Sequence, residues 1–184
     1  MTTLMTPTSL VTRTVESPFG PLTLVGSAAG LRAILWAGDD PARAGLADVA
    51  LQPGSADMLD EAAHQLGEYF AGTRTTFDLP LDLRGTPFQV AAWEALAEIP
   101  YGETRTYAEQ AAAIGRPAAV RAVGAANGRN PLSLVLPCHR VVGSDGALRG
   151  FAGGLGVKSS LLAFEQGQLS WPGPVALGGE AAVP

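Results

Sequence analysis

The stretch 106–128, TYAEQAAAIGRPAAVRAVGAANG, determines how we interpret the second half of this chain. Thr106 followed three residues later by Glu109 is a capping box, which predicts the start of a short helix. Gly115 can supply the left-handed residue that ends this helix, and a proline begins the next one, expected over 117–126. Two short helices with such a joint have the size of a helix-turn-helix, a DNA-binding motif, although packed helix pairs without DNA are more common.

The segments on either side of this helix pair also contain residues that mark where helices and turns begin and end. Thr86-Pro87-Phe88-Gln89 is another capping box with proline at the first helical position, so a helix is expected to run to about Ile99. Downstream, 132–136 has the composition of a buried strand, and 157–165 is expected to form a final helix. Between them we expect a turn and then a glycine-rich loop over 150–156.

The first half alternates strands and turns before a single helix. Residues 9–36 contain three apolar runs separated by Gly, Pro and Ser, which predicts a β-meander. Residues 39–54 are rich in Asp, Ala, Gly and Pro and predict a loop with one short helical turn. Residues 56–71 carry apolar side chains at helical spacing, and 78–83 is expected to form an extended link to the second half.

Length and composition place the chain among globular proteins. Its 184 residues suffice for one large domain or two small ones, and only 16% are charged, which argues against disorder of the bulk of the chain. No apolar run approaches the ~20 residues that span a bilayer, and residues 1–10 lack the blocks of a signal peptide, so we expect a cytoplasmic protein. The single cysteine excludes an intrachain disulfide and, with only two histidines present, makes a zinc site improbable.

The net charge of −5 is unevenly distributed. Residues 1–85 hold five arginines against ten acids, whereas 86–170 hold six arginines and one lysine against six acids. A nucleic acid would therefore approach the second half, although this mild imbalance is weak support alone.

The adjacent pair Cys138-His139 is the candidate for chemistry. Pro137 interrupts regular structure just before the pair, so a bend can bring the two side chains together. A histidine can take the proton of a thiol and raise its thiolate fraction. For an arbitrary pair of this kind, a buried cysteine beside a histidine bonded to a carbonyl is the more common situation.

Glu165 favours the catalytic interpretation. Val157, Leu161 and Glu165 are spaced by four, which places a carboxylate on the apolar stripe of the final helix. A carboxylate facing the core needs a partner, and a carboxylate that orients a histidine completes a nucleophile–base arrangement. The alternative is a carboxylate at a helix end that reaches solvent.

Residues 136–142, LPCHRVV, resemble the active-site motif of the O6-alkylguanine-DNA alkyltransferases, also called methylated-DNA–protein-cysteine methyltransferases. Close resemblance covers about residues 84–166, and the first half matches only in outline. Further matches are Asn130-Pro131, Gly153-Gly154, Val157-Lys158, Leu161-Leu162, Glu165, Pro100-Tyr101-Gly102-Glu103-Thr104, Tyr107 and Arg121-Ala122-Val123-Gly124.

The resemblance implies an irreversible, single-turnover transfer of an alkyl group from O6-alkylguanine in duplex DNA, with O4-methylthymine a secondary substrate. Cys138 would accept the group, His139 would deprotonate it through a water, and Glu165 would orient the imidazole. Asn130 would hold the backbone bend of the motif, and Tyr107 would donate a hydrogen bond to N3 of the guanine. An alkyl group on cysteine forms a thioether that water does not cleave, so each molecule would act once and need no cofactor.

The resemblance also implies two sets of binding residues. Arg121 would fill the base stack when the damaged nucleotide flips out. The DNA-binding residues would be Arg121, Ala122, Gly124, Tyr107, Arg129 and Arg140, and the pocket residues would be Val141, Phe151, Ala152, Gly153, Gly154 and Lys158. Ala152 stands where some relatives carry serine, which removes one possible hydrogen bond to the base, and no structural metal is expected.

The fold implied is α/β, with an antiparallel sheet and helix resembling ribonuclease H-like domains over 1–84 and a winged helix-turn-helix-like domain over 85–170. Residues 171–184 are expected to form a flexible tail, and the protein to act as a monomer. A non-catalytic lesion-binding relative is an alternative, but such proteins replace the cysteine that this chain retains. A cysteine hydrolase using Cys138, His139 and Glu165 is a further alternative, and it predicts turnover without DNA.

Overall fold

The computed structural model describes residues 10–54 and 56–171, which form six strands and five α-helices. In chain order these are β1 (Leu10–Val15), β2 (Leu22–Ser27), β3 (Gly30–Leu35), β4 (Leu51–Pro53), α1 (Asp57–Phe70), α2 (Pro87–Glu94), β5 (Arg105–Thr106), α3 (Tyr107–Ala113), α4 (Val120–Gly128), β6 (Val141–Val142) and α5 (Leu155–Glu165). The arrangement is the predicted α/β class.

The first half folds as a four-stranded sheet in the order β3-β2-β1-β4. The predicted meander is confirmed, since β1, β2 and β3 pair antiparallel. The predicted antiparallel sheet also contains one parallel pair, because β4 pairs parallel with β1, with Leu10 opposite Leu51. Residues 39–54 were expected to form a loop with one helical turn, and the turn is the 3₁₀ helix Pro41–Ala44. The strand β4 in this segment was not predicted, because three residues are too few to show an alternating pattern.

The link over 78–83 is extended, as predicted, and runs along β3. The amide of Leu31 donates to the carbonyl of Pro80 at 2.8 Å, and the amide of Asp82 donates to the carbonyl of Leu31 at 2.9 Å. Gly30, with φ +151°, makes this approach possible, because a Cβ there would lie 2.4 Å from the Pro80 oxygen. The sheet edge thereby fixes the path by which the chain enters the second half.

Both predicted capping boxes are present. Thr86 Oγ1 accepts from the Gln89 amide at 3.2 Å, and Thr106 Oγ1 accepts from the Glu109 amide at the same distance. Gly115 has φ +69° after α3, as the end of a helix requires. The helix limits differ from expectation, because α2 ends at Glu94 rather than near residue 99 and α4 begins at Val120 after a turn over 117–118.

Residues 131–136 form a buried turn, so the prediction of a strand there was wrong. The side chain of Asn130 makes hydrogen bonds that a neighbouring strand would otherwise make: Oδ1 accepts from the Leu132 amide at 3.0 Å and Nδ2 donates to the Leu136 carbonyl at 2.7 Å. Leu134 adopts φ +78°, in the left-handed region. The apolar composition reflects burial, since Leu132, Leu134 and Leu136 belong to the main core.

The two halves share this core. It combines Leu22, Leu24 and Ile34 of the sheet and residues of α1 with Trp93, Leu132 and Leu161 of the second half. A two-residue parallel pairing of β5 with β6 places the chain after Cys138 beside the start of α3. Within the described residues, no helix is both long and apolar enough to cross a bilayer.

The end of the chain is described only as far as Trp171. Its ring lies 5.0 Å from those of Phe19 and Phe164, between the first and second halves. The rest of the predicted tail, 172–184, lies outside the described residues.

Candidate active site

Cys138 opens a 3₁₀ turn, Cys138–Arg140, directly after the buried turn of 131–136. The bend inferred from Pro137 is therefore present, and the cysteine is not part of a regular strand. The residue is 5% exposed. Burial raises the pKa of the Cys138 thiol, and Asn130 and the charge of Lys158 oppose that rise. A thiol in this environment needs a base to become an efficient nucleophile.

His139 follows Cys138 and is fully buried. Its Nε2 lies 2.7 Å from Oε1 of Glu165, so the structure brings together the two residues that the sequence pattern paired. A carboxylate only accepts hydrogen bonds, so in the neutral imidazole Nε2 carries the hydrogen and Nδ1 has the lone pair. Burial lowers the pKa of His139, and the hydrogen bond to Glu165 partly offsets this. Nδ1 is buried and has no hydrogen-bond partner among the described residues, so it is the nitrogen able to accept a proton.

Glu165 lies at the end of α5 and accepts five hydrogen bonds. Beside His139, its oxygens accept from Arg140 Nε at 2.8 Å and Nη2 at 3.0 Å, from the Tyr69 hydroxyl at 2.7 Å and from the Gly102 amide at 3.2 Å. Burial opposes ionisation of this carboxyl group, but the hydrogen bonds from His139 and Arg140 outweigh it and hold the pKa of Glu165 well below its usual range. Glu165 is therefore a fixed negative charge beneath the imidazole.

Arg140 was predicted to bind DNA, and the structure contradicts this. The residue is 5% exposed, and its guanidinium is occupied by Glu165 and by the carbonyl of Ile99, to which Nη1 donates at 2.6 Å. A buried arginine must be paired, and releasing it to reach a phosphate would leave Glu165 without its counter-charge. Arg140 is part of the carboxylate cluster behind the histidine.

Tyr69 joins this cluster from the first half of the chain, and sequence reasoning missed it. It lies on α1, is fully buried, and is separated by 96 residues from the carboxylate to which it donates. Burial and the charge of Glu165 raise the pKa of Tyr69 well above its usual value, so its hydroxyl remains a donor. Helical spacing identified Tyr69 as a core residue, but no local signal indicates where its hydroxyl points.

Asn130 lies before the turn, as the motif predicted, and a second residue holds it. Arg43 donates from Nη1 to the backbone carbonyl of Asn130 at 2.5 Å while its Nε bonds Asp39 at 2.9 Å. The active-site turn is thus tied to the loop that follows β3. Ser133, a residue that the sequence analysis did not single out, is buried beside the thiol, and its hydroxyl opposes the rise of the Cys138 pKa.

Tyr107, Lys158 and Arg149 form a separate set beside the thiol. The hydroxyl of Tyr107 donates to the carbonyl of Arg149 at 3.0 Å, and Lys158 Nζ donates to the same carbonyl at 2.8 Å. The Lys158 ammonium also lies 5.7 Å from the centre of the Tyr107 ring. Burial lowers the pKa of Lys158, and the charge of Cys138 partly opposes this. The predicted contact of Tyr107 with a base therefore requires its hydroxyl to exchange the Arg149 carbonyl for the base.

A groove of about 400 Å³ opens between α4 and the loop after β6. Arg121, Gly124 and Tyr107 line it, and Ala122 and Arg129 are exposed on the same helix or directly after it. Five of the six predicted DNA-binding residues thus lie at or near the surface, in α3, in α4 or directly after α4. The opposite wall, Gly143, Ser144, Arg149 and Gly150, was not predicted, because turn residues carry no signal for a binding surface.

The predicted pocket loop packs against the first half. Phe151 lies 5.4 Å from Trp36 and 6.3 Å from His139, measured between ring centres. A Cβ at Gly153 would come within 3.0 Å of Trp36, so that glycine permits the contact. Ala152 is partly exposed, Gly154 precedes α5, and Val141 is fully buried. Among the described residues, no three His, Cys, Asp or Glu side chains are placed to hold a metal ion.

Comparison with known proteins agrees with this arrangement. The ribonuclease-like domain of 6-O-methylguanine DNA methyltransferase matches residues 10–83, and the DNA binding domain of the same family matches residues 87–167. The chain belongs to the 6-O-methylguanine DNA methyltransferase family. The resemblance drawn from the LPCHRVV motif is thereby confirmed, and the α/β fold with it.

Individual members of the family are similar over most of their length. A methylated-DNA–protein-cysteine methyltransferase from Methanosarcina barkeri is 48% identical over 161 residues, which cover 84% of this chain and 96% of that protein. The crystal structure of the Mycobacterium tuberculosis OGT in complex with DNA is 44% identical, with a TM-score of 0.79 over 87% of this chain and 95% of that one. The O6-methylguanine-DNA methyltransferase from Pyrococcus kodakaraensis is 26% identical, with a TM-score of 0.57 over 85% of this chain and 98% of that one.

Proposed function

We propose that this protein repairs DNA by moving the alkyl group of O6-alkylguanine in duplex DNA onto Sγ of its own Cys138. One observation carries the proposal: the only cysteine of the chain adjoins a buried histidine whose Nε2 is bonded to an ionised carboxylate. That arrangement supplies a nucleophile, a base and a group that stabilises the protonated base. Family membership supports O6-methylguanine as the main substrate. We propose O4-methylthymine as a secondary substrate.

The reaction is a displacement at the alkyl carbon. Nδ1 of His139 takes the thiol proton through a water, and Glu165 stabilises the imidazolium that forms. The sulfur then forms a bond to the alkyl carbon as the bond from that carbon to O6 breaks, and the electron pair of the broken bond stays on the purine. Tyr107 donates a hydrogen bond to N3, which favours departure of the purine, and the proton taken up by His139 balances the charge that the purine carries away. The product is a thioether, and each molecule acts once.

The base reaches the thiol by leaving the duplex. Tyr107, which lines the groove together with Arg121 and Gly124, lies near Lys158 and Cys138, and the exposed Arg121 is at the start of α4. Chemistry on a base inside duplex DNA requires the nucleotide to rotate out of the stack, and Arg121 fills the space it vacates. The pocket residues are Val141, Phe151, Ala152, Gly153, Gly154 and Lys158.

The two halves of the chain have different roles in the proposed reaction. Residues 85–170 bind DNA and transfer the alkyl group, and 1–84 support them through contacts such as Tyr69 to Glu165. The protein acts as a monomer. A nucleophilic free thiol needs a reducing compartment, which favours the cytoplasm.

Intact mass spectrometry after incubation with an O6-methylguanine duplex tests the proposal. We expect the mass to rise by one methyl group in place of one hydrogen, and peptide mapping to place the methyl on Cys138. An unmodified duplex is the control. Turnover of an acyl substrate without DNA, and no mass change with the duplex, would instead indicate a hydrolase.

A further inference from the structure

A second groove, distinct from that of Arg121 and Tyr107, lies between the 3₁₀ helix Pro41–Ala44 and α2. Its volume is about 450 Å³. Three arginines line it, and no carboxylate does; the lining residues are Ala42, Arg43, Ala44, Gly45, Arg84, Gln89, Trp93 and Arg129. We refer to it as the three-arginine groove. Both halves of the chain contribute, because two of the arginines precede residue 85.

The arginines of this groove retain free donors. Among the described residues, the Arg84 guanidinium is bonded only through Nε, which donates to Asp82 at 3.0 Å, and the Arg84 side chain is 61% exposed. Arg129 is exposed, and its side chain makes no hydrogen bond within the part of the chain that the structure describes. Arg43 is held by Asp39 and by the Asn130 carbonyl. Three guanidinium groups against two carboxylates leave the groove with a net positive charge and donors that face no partner.

The position of the groove suggests what binds there. Arg129 directly follows α4, whereas Gly128, the last residue of α4, lines the groove that also contains Arg121. The two grooves therefore flank the end of the same helix. Arg43 bonds the residue that holds the active-site turn, so the three-arginine groove is also anchored to the catalytic segment. A DNA strand that passes the end of α4 would meet both grooves.

We propose that the three-arginine groove binds a backbone phosphate of the DNA, with Arg84 and Arg129 as its ligands. Guanidinium groups match phosphate oxygens in geometry and remain charged at all physiological pH values. The inference rests on the proposed function and extends it, because it gives the acidic first half of the chain a direct contact with DNA. Arg43 orients the groove and is not required to release Asp39.

Binding to an unmodified duplex tests this without depending on alkyl transfer. The dissociation constant is measured by fluorescence anisotropy between about 50 and about 200 mM KCl for wild type, Arg84→Gln and Arg129→Gln. Each lost phosphate contact lowers the salt dependence by roughly 0.9 in the logarithmic slope, so this salt increase should weaken wild type about 3.5-fold more than each single variant and about 12-fold more than the double variant. Arg13→Gln is the matched control, because Arg13 also pairs with one aspartate, Asp60, and does not line the groove.

Two results would overturn the proposal. One is a salt slope for Arg84→Gln and Arg129→Gln equal to that of wild type and Arg13→Gln. The other is a stabilisation by inorganic phosphate in thermal unfolding that Arg84→Gln removes while the DNA slope is unchanged, which would indicate a site for a free anion. The methyl-transfer mass assay is separate. A negative result in it would refute the proposed function, and the DNA-binding measurements could still be interpreted.

Discussion

The sulfur of Cys138 is the one atom that the proposed reaction cannot lose. Cys138→Ala removes it and leaves the 3₁₀ turn and the exposed α4 surface in place. We expect methyl transfer to be abolished while the affinity for duplex DNA stays within about twofold of wild type. Transfer is measured by intact mass and affinity by fluorescence anisotropy. Persisting methylation of this variant would mean that another residue accepts the group.

The charge of Glu165 is predicted to control how readily the thiol ionises. Glu165→Gln removes the charge that stabilises protonated His139, so the apparent pKa of Cys138 should rise. Thiol reactivity titrated against pH measures this shift. Because Arg140 then loses its counter-charge, stability should also fall, by about 3–5 kcal/mol for a buried pair.

Tyr69→Phe is the matched control for that experiment. It removes one hydrogen bond to the same carboxylate oxygen but keeps the negative charge. Its thiol profile should shift much less than that of Glu165→Gln. Equal shifts in the two variants would show that the charge is not the cause and would count against the Cys138–water–His139–Glu165 relay.

At the scale of elements, α4 carries a prediction about base flipping. Arg121 is exposed at the start of the helix and lines the groove next to Tyr107. Unstacking a base costs a few kcal/mol, and each step of about 1.4 kcal/mol changes a rate about tenfold, so Arg121→Ala should slow duplex repair by tens- to hundreds-fold. The measurement is the repair rate at saturating duplex.

Free O6-benzylguanine provides the comparison, because its reaction requires no flipping. The loss with Arg121→Ala should be much smaller on the free base than on duplex. Simple phosphate binding by Arg121 predicts a modest loss of affinity that low salt largely restores. Equal losses on duplex and free base would assign Arg121 to the fold or the pocket.

The local elements were largely predictable, for reasons visible in their residues. Capping boxes at Thr86 and Thr106 act over three residues, and Gly115 ends a helix through its own conformation. The prediction of a strand over 132–136 was wrong because the Asn130 side chain makes the hydrogen bonds to this backbone. Apolar composition indicates that a segment is buried but does not specify its backbone geometry.

At the scale of the whole molecule, the buried His139–Glu165 pair predicts sensitivity to acid. Both residues have pKa values lowered in the folded state, so the unfolded chain takes up their protons first and stability falls as pH falls. The loss should begin below about pH 6.5 through His139 and continue below about pH 4.3 through Glu165. Thermal unfolding between pH 8 and pH 3 measures it.

His139→Gln is the control for the upper part of that pH range. It keeps a polar side chain next to Glu165 but cannot titrate, so its melting temperature should change less than that of wild type between about pH 7 and about pH 5. The same pH dependence in both proteins would show that another group is responsible.

The contacts that join the two halves were not predictable from either half. Tyr69 and Glu165 are 96 residues apart, and Arg43 reaches Asn130 across 87. Arg140, expected on DNA, is instead the buried counter-charge of Glu165. A basic residue beside a catalytic motif has the same local sequence whether it faces a phosphate or a carboxylate, and only its surroundings distinguish the two.

The sequence by itself determined the meander, the capped helices, the family motif and the pairing of His139 with Glu165. These depend on interactions between near neighbours or on residues whose chemistry needs a partner of one kind. The tertiary structure alone decided the parallel pairing of β4 with β1 and of β5 with β6, the four donors around Glu165 other than His139, and the three-arginine groove. Each of these joins residues far apart in the chain, and packing of the shared core, rather than any local preference, brings them together.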